Sequence, residues 1–318
     1  MRDAPSSAPA PGEGFVAPAA PALQRGRGVL ELGFAGGGFA GAGPTRLTLL
    51  HQSDPCRALL PRPEPGEPLT AVTITTSGGL TDGDRLSIAV RAEAGAQVLV
   101  TGQAAEKIYR ARGGGETTIA VDLTLGACAR LEYMPQETIL FDGARLRRRT
   151  SIAVDPGATL IAGDLLVFGR HARGERLTHG RLVDGWRVRL GGRLVWADGL
   201  DLGADVARPL AAAAGFDGAG AYATLLIVDA QAGRCLDEAR GLRHDRQDDH
   251  RDDVAAPRGD VGNDGQVREG ATALPGVTIV RLLGRDAGAV RRRYGELWRA
   301  LRVVVLGRPA RLPRIWAC

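Results

Sequence analysis

Short apolar runs recur along the chain from residue 70 onward. Most are four to eight residues long, rich in Val, Ile, Leu and Thr, and bounded by Gly, Asp or Pro. Regular spacing of this kind is typical of an all-β sandwich, barrel or solenoid. The runs are AVTITT, RLSIAVRA, AQVLVTG, TTIAVDLT, RLEYM, ETILF, RTSIAV, ATLIAG, DLLVF, GWRVRL, GRLVWA, YATLLIV and GVTIVRLL.

Two segments break this pattern. Residues 204–216 are Ala-rich and predict a short helix or an irregular crossover. Residues 286–306 predict the clearest helix, because apolar side chains recur there at i, i+4, i+7 and i+8. Asp286 is a candidate N-cap, and Gly307 followed by Pro309 is a stop signal. This helix either covers one end of the β-core or offers a surface to a partner.

The remaining segments predict one folded domain with two irregular parts. Residues 1–24 are Ala/Pro-rich and predict a disordered tail, so the single β-rich domain spans 25–318. Residues 242–270 are almost wholly polar and predict a flexible surface loop. A glycine-rich segment at 33–52 matches neither a P-loop, since G-K-[ST] is missing, nor a dinucleotide-binding fingerprint.

Charge and composition argue against several classes of function. The 318 residues carry 41 basic and 36 acidic side chains, and the arginines are scattered among the acids, which indicates a solvated surface rather than a nucleic-acid footprint. No stretch approaches the roughly 20 apolar residues of a membrane helix, and the N-terminal stretch lacks the apolar core of a signal peptide. The four cysteines form no metal or disulfide pattern. We therefore expect a cytoplasmic protein with reduced thiols.

Recognised catalytic signatures are missing from the sequence. It contains no G-x-S-x-G elbow, no H-E-x-x-H and no paired Cys/His spacing. His244 and His250 stand among several aspartates, a pattern that fits either a loosely held divalent cation or a solvated loop. What remains is a set of acids near turns and strand ends, which could line a cleft, a channel or a catalytic pair.

Several of these acids stand where the local pattern makes them notable. Asp82 and Asp84 occupy a Gly-rich turn, where Asp is common for conformational reasons alone. Glu132 lies on the strand face opposite Leu131, because strand side chains alternate. Asp164 interrupts an apolar strand and requires a partner, since a lone buried charge is costly.

The only lysine among the 41 basic residues is Lys107. An excess of Ala, Gly and Arg fits the coding bias of a GC-rich genome, so its survival can be chance. Lysine is nevertheless a compact charge whose pKa shifts readily when buried, unlike arginine. Glu106 and Lys107 are therefore a candidate pair.

Taken in order, several segments resemble the family of urease accessory proteins called UreD, or UreH in some bacteria. The order and spacing agree from about residue 28 to the C-terminus, so the resemblance covers most of the chain. The N-terminal tail and the acidic loop depart from the family pattern, and Gly102 stands where members often have a second threonine. The matching stretches are SGGLTDGDRL, TGQAAEKIYR, LEYMPQETILFDGA, FGRHARGERL, GVTIVRLLG, LWRALR and PRIW.

The resemblance implies a fold and a function. The implied fold is all-β, a β-helix-like twisted scaffold of many strands with about two helices, the clearer one near the C-terminus. The implied function is that of a non-enzymatic metallochaperone scaffold, which binds apo-urease together with UreF and the GTPase UreG and helps to deliver nickel, with an internal tunnel as the proposed path. It implies no tightly bound cofactor, only transient Ni2+, and GTP hydrolysis by the partner, consistent with the missing P-loop.

On that implied role, acids are the candidates for the nickel path. Nickel binds imidazole and thiolate tightly, whereas carboxylate and water hold it loosely enough for release. Lys107 would then be an interior ammonium that pairs Glu106 or a neighbouring acid. The candidate path consists of Asp82, Asp84, Glu132, Asp142, Asp164 and Glu175. The candidate structural or interaction residues are Glu106, Lys107, Tyr109, Gln136, Arg170, Trp298, Arg302 and Trp316.

Two other functions compete with this interpretation. One is a β-solenoid carbohydrate-active enzyme in which two of Glu132, Glu137 and Asp164 act as acid and base. The scarcity of aromatic side chains for a sugar-binding groove and the missing signal peptide weigh against it. The other is a pure assembly module that never contacts metal. An open groove with paired acids would favour the enzyme, and an enclosed acid-lined passage would favour the scaffold.

Overall fold

The computed structural model describes residues 25–37, 43–229 and 265–316. The tail at 1–24 and residues 242–264 of the polar loop lie outside the described residues. Within them, the helices are α1 (Ala207–Ala211) and α2 (Ala287–Leu306), with 3-10 turns at His171–Arg173 and Arg314–Trp316. The strands are β1 (Arg27–Gly37), β2 (Gly43–Ser53), β3 (Cys56–Leu59), β4 (Leu69–Thr75), β5 (Arg85–Ala92), β6 (Gln97–Gly102), β7 (Glu106–Ile108), β8 (Thr117–Leu125), β9 (Arg130–Met134), β10 (Thr138–Leu140), β11 (Arg145–Val154), β12 (Thr159–Phe168), β13 (Arg181–Leu190), β14 (Arg193–Leu202), β15 (Ala221–Val228), β16 (Val267–Leu274) and β17 (Val277–Gly284).

The strands form two sheets that face each other. The seven-stranded sheet has the order β14-β13-β11-β8-β5-β1-β2, and the ten-stranded sheet has the order β16-β17-β15-β12-β9-β6-β4-β3 with β7 and β10 at its side. From β4 to β13 the chain passes back and forth between the sheets, although β7 follows β6 and β10 follows β9 within the ten-stranded sheet. Strand β6 and every strand from β8 to β13 pair in parallel with the strand one coil earlier. This coiling confirms the predicted all-β, β-helix-like architecture.

Three four-residue turns carry the chain from the seven-stranded sheet to the ten-stranded one. They are residues 93–96, 126–129 and 155–158, and each closes with a hydrogen bond from the fourth amide to the first carbonyl. The third residue has positive φ: 70° at Gly95, 57° at Cys128 and 80° at Gly157. Glycine adopts this conformation without strain and stands at this position in two of the three turns, and alanine follows it in all three. The recurring Gly-Ala or Cys-Ala pair is therefore the sequence signal of the coil.

Helix α2 follows its sequence prediction closely. An Asp286 carboxylate oxygen accepts a hydrogen bond from the Ala289 amide at 2.7 Å, and Gly307 ends the helix with φ of 62°. The apolar face packs on β12, β15, β16 and β17, so the helix covers the outer face of the ten-stranded sheet. A second cluster of buried side chains lies between α2 and this sheet, while the main core lies between the two sheets. Neither helix of the described chain is both long and apolar enough to span a membrane.

The structure also differs from the sequence predictions in three places. Residues 267–270, predicted as the end of the polar loop, belong to β16. The described parts of the glycine-rich segment, residues 33–37 and 43–52, belong to the antiparallel strands β1 and β2, which the apolar pattern did not indicate. Glycine is needed there because the strands approach closely: a Cβ at Gly37 would lie 2.4 Å from the Pro44 carbonyl oxygen. Residues 158–163 and 164–168, predicted as separate runs, join in the single strand β12.

Candidate functional site

A cavity of about 270 Å³ runs between the two sheets. Exposed residues line one end, among them Gly78, Gln103 and Lys107. Buried Arg148 and Asp164 line the other end. The cavity therefore extends from the surface into the space between the sheets, and strands of both sheets contribute to its wall.

A three-residue ion network stands at the inner end. Arg148 projects from β11 of the seven-stranded sheet and donates to Asp164 of β12 in the other sheet, at 2.8 Å from Nη1 to Oδ1. Its Nε and Nη2 donate to Asp184 of β13 at 2.9 and 2.8 Å. Burial raises the pKa of Asp164, and the neighbouring Asp184 adds to this, although Arg148 opposes both. The network holds one more acid than base.

Half-buried Glu106 and buried Cys56 also line the cavity wall. The Glu106 carboxylate accepts a hydrogen bond from Thr75 Oγ1 at 2.5 Å, and burial raises its pKa. Burial raises the pKa of the Cys56 thiol to about 11, with a contribution from the charge of Glu106. The thiol is therefore protonated near neutral pH, so the wall presents a carboxylate beside a neutral sulfur.

Lys107 does not have the interior position that we expected. Its side chain is exposed at the mouth of the cavity, and within the described chain it forms no ion pair with Glu106 or another acid. The reason is the alternation of β7, which turns the two neighbouring side chains to different sides. The hypothesis of a buried ammonium is wrong, and Lys107 instead places a cation at the entrance.

Four of the sequence candidates meet in one surface cluster. The Phe141 ring lies between the Tyr109 ring, at 4.8 Å, and the Arg170 guanidinium, at 4.3 Å. Arg170 donates to Glu175 at 3.1 Å from Nε to Oε1, and this hydrogen bond lowers the pKa of Glu175. The same carboxylate accepts from the Asp142 amide at 3.2 Å.

Asp142 closes that cluster with several donors of its own. Its Oδ1 accepts from the amides of Thr178 and His179 at 2.8 and 2.9 Å, and its Oδ2 accepts from Arg110 at 3.0 Å. Partial burial opposes ionisation, but the hydrogen bonds from Thr178 and His179 prevail and the pKa of Asp142 falls. Asp142 and Glu175 are thus ionised and already satisfied by protein donors.

Asp82 and Asp84 hold the Gly-rich turn together. Asp84 accepts from the Gly26 amide at 2.7 Å and from the Thr81 amide at 2.8 Å. Asp82 accepts from the Gly113 amide at 2.7 Å and pairs with Arg25. These contacts tie neighbouring coils to one another, which is the conformational role that the turn sequence alone suggested.

Glu132 lies beneath α2, on the side of the ten-stranded sheet opposite to the cavity. Trp298 Nε1 and Arg302 Nε donate to its Oε2 at 2.7 and 2.8 Å. Trp316 donates from Nε1 to Thr101 Oγ1 at 2.8 Å, and Gln136 donates to the Ile315 carbonyl at 3.3 Å. Through these contacts, the predicted interaction residues hold α2 and the segment that follows it, residues 307–316, against the sheet.

The six candidate path acids therefore occupy four separate places. Of the six, only Asp164 lines the cavity. The structure nowhere gathers three or more His, Cys, Asp or Glu side chains into a metal cluster within the part of the chain it describes. Their role in nickel transfer stays a prediction.

The carboxylate pair of the enzyme alternative is not brought together either. Glu132 pairs in register with Ile161, three residues before Asp164 on β12, so the two carboxylates face opposite sides of the sheet. Glu137 pairs with Arg291 at 3.1 Å beside the helix.

Sequence reasoning missed the partners that complete the interior. Arg148 and Asp184 supply the ion network around Asp164, and Cys56, Thr75 and Tyr133 line the wall. One signal was available in the sequence. Because β11 alternates strictly, Arg148 in the run RLRRRT shares the inward face with Leu146 and Thr150. An inward arginine on one strand requires an acid on another.

Comparison with known proteins finds one family. The sequence model described as UreD urease accessory protein matches residues 26–317. A protein of Magnetococcus marinus named urease accessory protein UreD is 43% identical over 275 residues, 86% of this chain and 89% of that protein. One of a Methylobacterium species with the same name is 42% identical over 299 residues, 94% and 97% of the two chains. Urease accessory protein UreD 1 of Brucella abortus is 39% identical over 274 residues, which are 86% of this chain and 89% of that protein.

Proposed function

This chain belongs to the UreD family of urease accessory proteins, and we propose that it is a non-enzymatic, cytoplasmic scaffold that delivers nickel to urease. In this proposal it binds the urease apoprotein together with UreF and the GTPase UreG, and nickel travels through the interior cavity. The observation that supports the proposal most is the cavity itself, which connects exposed residues to the half-buried carboxylate of Glu106 and the buried carboxylate of Asp164.

The chemistry of the wall suits passage rather than storage. Carboxylates hold Ni2+ less tightly than thiolates or imidazoles do. Glu106 and Asp164 supply the carboxylates, and the Cys56 thiol, whose pKa is about 11, is protonated and does not trap the ion as a thiolate would.

The raised pKa values of these two carboxyl groups add a means of release. Burial raises the pKa of Glu106 and of Asp164, so a proton competes with a metal ion for each group. We place Glu106 and Asp164 on the nickel path. We expect the other five candidate path acids to stabilise the fold rather than to contact nickel.

Replacing Glu106 with glutamine is expected to lower urease activation. The amide keeps the shape and can still accept the Thr75 hydrogen bond, but it loses the negative charge, and we expect a loss on the order of tenfold in nickel affinity. Urease activity is measured in cells that lack this gene and are complemented with wild type, Glu106→Gln, or the control Glu93→Gln, whose side chain is exposed outside the cavity.

Three outcomes separate the hypotheses. Rescue by wild type and by Glu93→Gln but not by Glu106→Gln, with all three recovered in complex with their partners, supports the path. Equal rescue by all three favours an assembly module without metal contact. Failure of wild type to rescue rejects the accessory function.

The same substitution also predicts a pH-dependent change in stability. The pKa of Glu106 is higher in the folded than in the unfolded chain, so wild-type stability falls as pH rises past the ordinary pKa of 4.5. Glutamine does not titrate, and Glu106→Gln should therefore gain stability over wild type as pH rises toward neutrality. Thermal unfolding at pH 4 and pH 7 measures the difference.

A further inference from the structure

Small side chains, with arginines among them, occupy many outward positions of the seven-stranded sheet. Residues directly opposite each other on neighbouring strands include Ser87, Ala120, Arg149 and Gly185, a row that runs across β5, β8, β11 and β13. The outward positions are exposed or half-buried, whereas the ten-stranded sheet has its outer face covered by α2. The result is an open platform. Its further small residues are Ala89, Thr118, Thr124, Ser151, Ala153, Ala197 and Gly199.

Arginines surround and cross this platform, and we name the surface the arginine face. Arginines outnumber acids on it, so its charge is positive. Three of them share the single carboxylate of Glu116, with the closest contact 2.9 Å from Arg147 Nε to Oε2. The arginine face comprises Arg27, Arg85, Arg91, Arg145, Arg147, Arg149, Arg181, Arg187 and Arg189, with Glu31, Glu116, Asp122 and Asp201 among them.

Several of these guanidinium groups have no acid to pair with. Within the described residues, Arg85, Arg91 and Arg187 are exposed and take part in no ion pair. They lie on three different places of the sheet: Arg85 and Arg91 at the two ends of β5, and Arg187 on β13. Guanidinium groups present rigid forks that match carboxylates in bidentate geometry. The arginine face therefore offers free donors over a broad area.

We propose that the arginine face is a docking surface for an acidic protein surface. The inference rests on the proposed function, and on that basis the acidic surface belongs to the urease apoprotein. The small residues of the platform let a partner approach closely, while the unpaired arginines supply complementary charge.

Two features favour a protein over a nucleic acid as the occupant. Glu31, Glu116, Asp122 and Asp201 lie among the arginines and would repel phosphates, whereas a protein surface can meet them with its own bases. The outward positions of β5, β8, β11 and β13 include no aromatic side chain on which bases could stack.

A triple charge reversal tests the inference. The tagged full-length chain is expressed with the rest of the urease system, and the urease apoprotein that co-purifies is quantified. Arg85→Glu/Arg91→Glu/Arg187→Glu should reduce it on the order of tenfold, because attraction becomes repulsion. Wild-type binding should also weaken between about 0.15 and 0.5 M salt, as screening predicts.

The matched control reverses three exposed, unpaired arginines of the described chain elsewhere: Arg62→Glu/Arg208→Glu/Arg292→Glu. It makes the same change in net charge and should bind apo-urease like wild type. Equal binding by both triple variants would overturn the inference and leave the proposed function intact. No binding by wild type would reject the proposed function itself. Binding of wild type to duplex DNA that only the first variant loses, with apo-urease binding unchanged, would assign the face to nucleic acid and also overturn the inference.

Discussion

Replacing Arg302 with methionine is expected to lower the free energy of unfolding by about 3–5 kcal/mol, because it removes the cation that is hydrogen-bonded to the buried Glu132 carboxylate and leaves only Arg308, at 3.7 Å, beside it. Arg302 is fully buried, and it donates to Glu132, which is 1% exposed, and to Glu67 in the segment before β4. Methionine keeps most of the aliphatic volume but none of the charge. Chemical denaturation of the purified complex or of the soluble chain measures the loss.

The pH dependence of this loss has a defined sign. Burial raises the pKa of Glu132, and the hydrogen bonds from Arg302 and Trp298 oppose the rise. Without Arg302 the pKa rises further above its unfolded value, so the variant loses stability as pH increases. The deficit relative to wild type should be larger at pH 8 than at pH 5.

Two further variants isolate the ion pair from general effects on the helix. Arg299→Met changes an exposed arginine on the same helix and should cost less than about 0.5 kcal/mol. The double variant Glu132→Gln/Arg302→Met removes the orphaned charge and should recover part of the loss. A deficit in Arg302→Met that neither depends on pH nor shrinks in the double variant would contradict this account.

Replacing Arg148 with methionine should be at least as damaging, by about 3–5 kcal/mol. Arg148 is the cation that separates Asp164 from Asp184, and all three side chains are buried between the sheets. Without it, two carboxylates face each other in a medium that solvates neither. At least one must bind a proton, so the variant should be more stable at acidic than at neutral pH.

The neighbouring arginines of β11 provide a matched control for Arg148. Arg147 and Arg149 are exposed and pair with Glu116 and Asp122 on the surface. Replacing either with methionine should change stability by less than about 1 kcal/mol. Equal effects of Arg147→Met and Arg148→Met, measured by denaturant titration, would show that the inward network contributes nothing specific.

The sequence predicted those parts of the fold that depend on short-range patterns. Strand runs such as RLSIAVRA correspond to β5 residue for residue, and α2 lies between the predicted cap at Asp286 and the stop at Gly307. The spacing of apolar residues and the identity of capping residues can be read from neighbouring positions in the sequence, and here the tertiary packing agrees with them. The β1–β2 pair was missed because glycines that permit close strand approach also erase the apolar pattern.

The candidate site was harder to predict because its partners are distant in sequence. Asp164 requires a cation, yet the cation is Arg148 on the facing sheet, and only the stacking of coils brings them together. Alternation places Glu132 and Asp164 correctly on their own strands. It does not reveal that β9 and β12 pair so as to turn the two carboxylates to opposite sides. Lys107 was misjudged because identity alone does not tell which side of a three-residue strand faces inward.

The measurement that tests the central claim most directly is the nickel content of urease assembled with a blocked cavity. Ala105 is half-buried on the cavity wall, and Ala105→Trp places an indole in the space without removing any ionisable group. Ala94→Trp, at an exposed position outside the cavity, is the control. With both variants recovered in complex with apo-urease, the account predicts a severalfold drop in nickel per urease for Ala105→Trp alone. Wild-type nickel content with Ala105→Trp would contradict passage through the cavity.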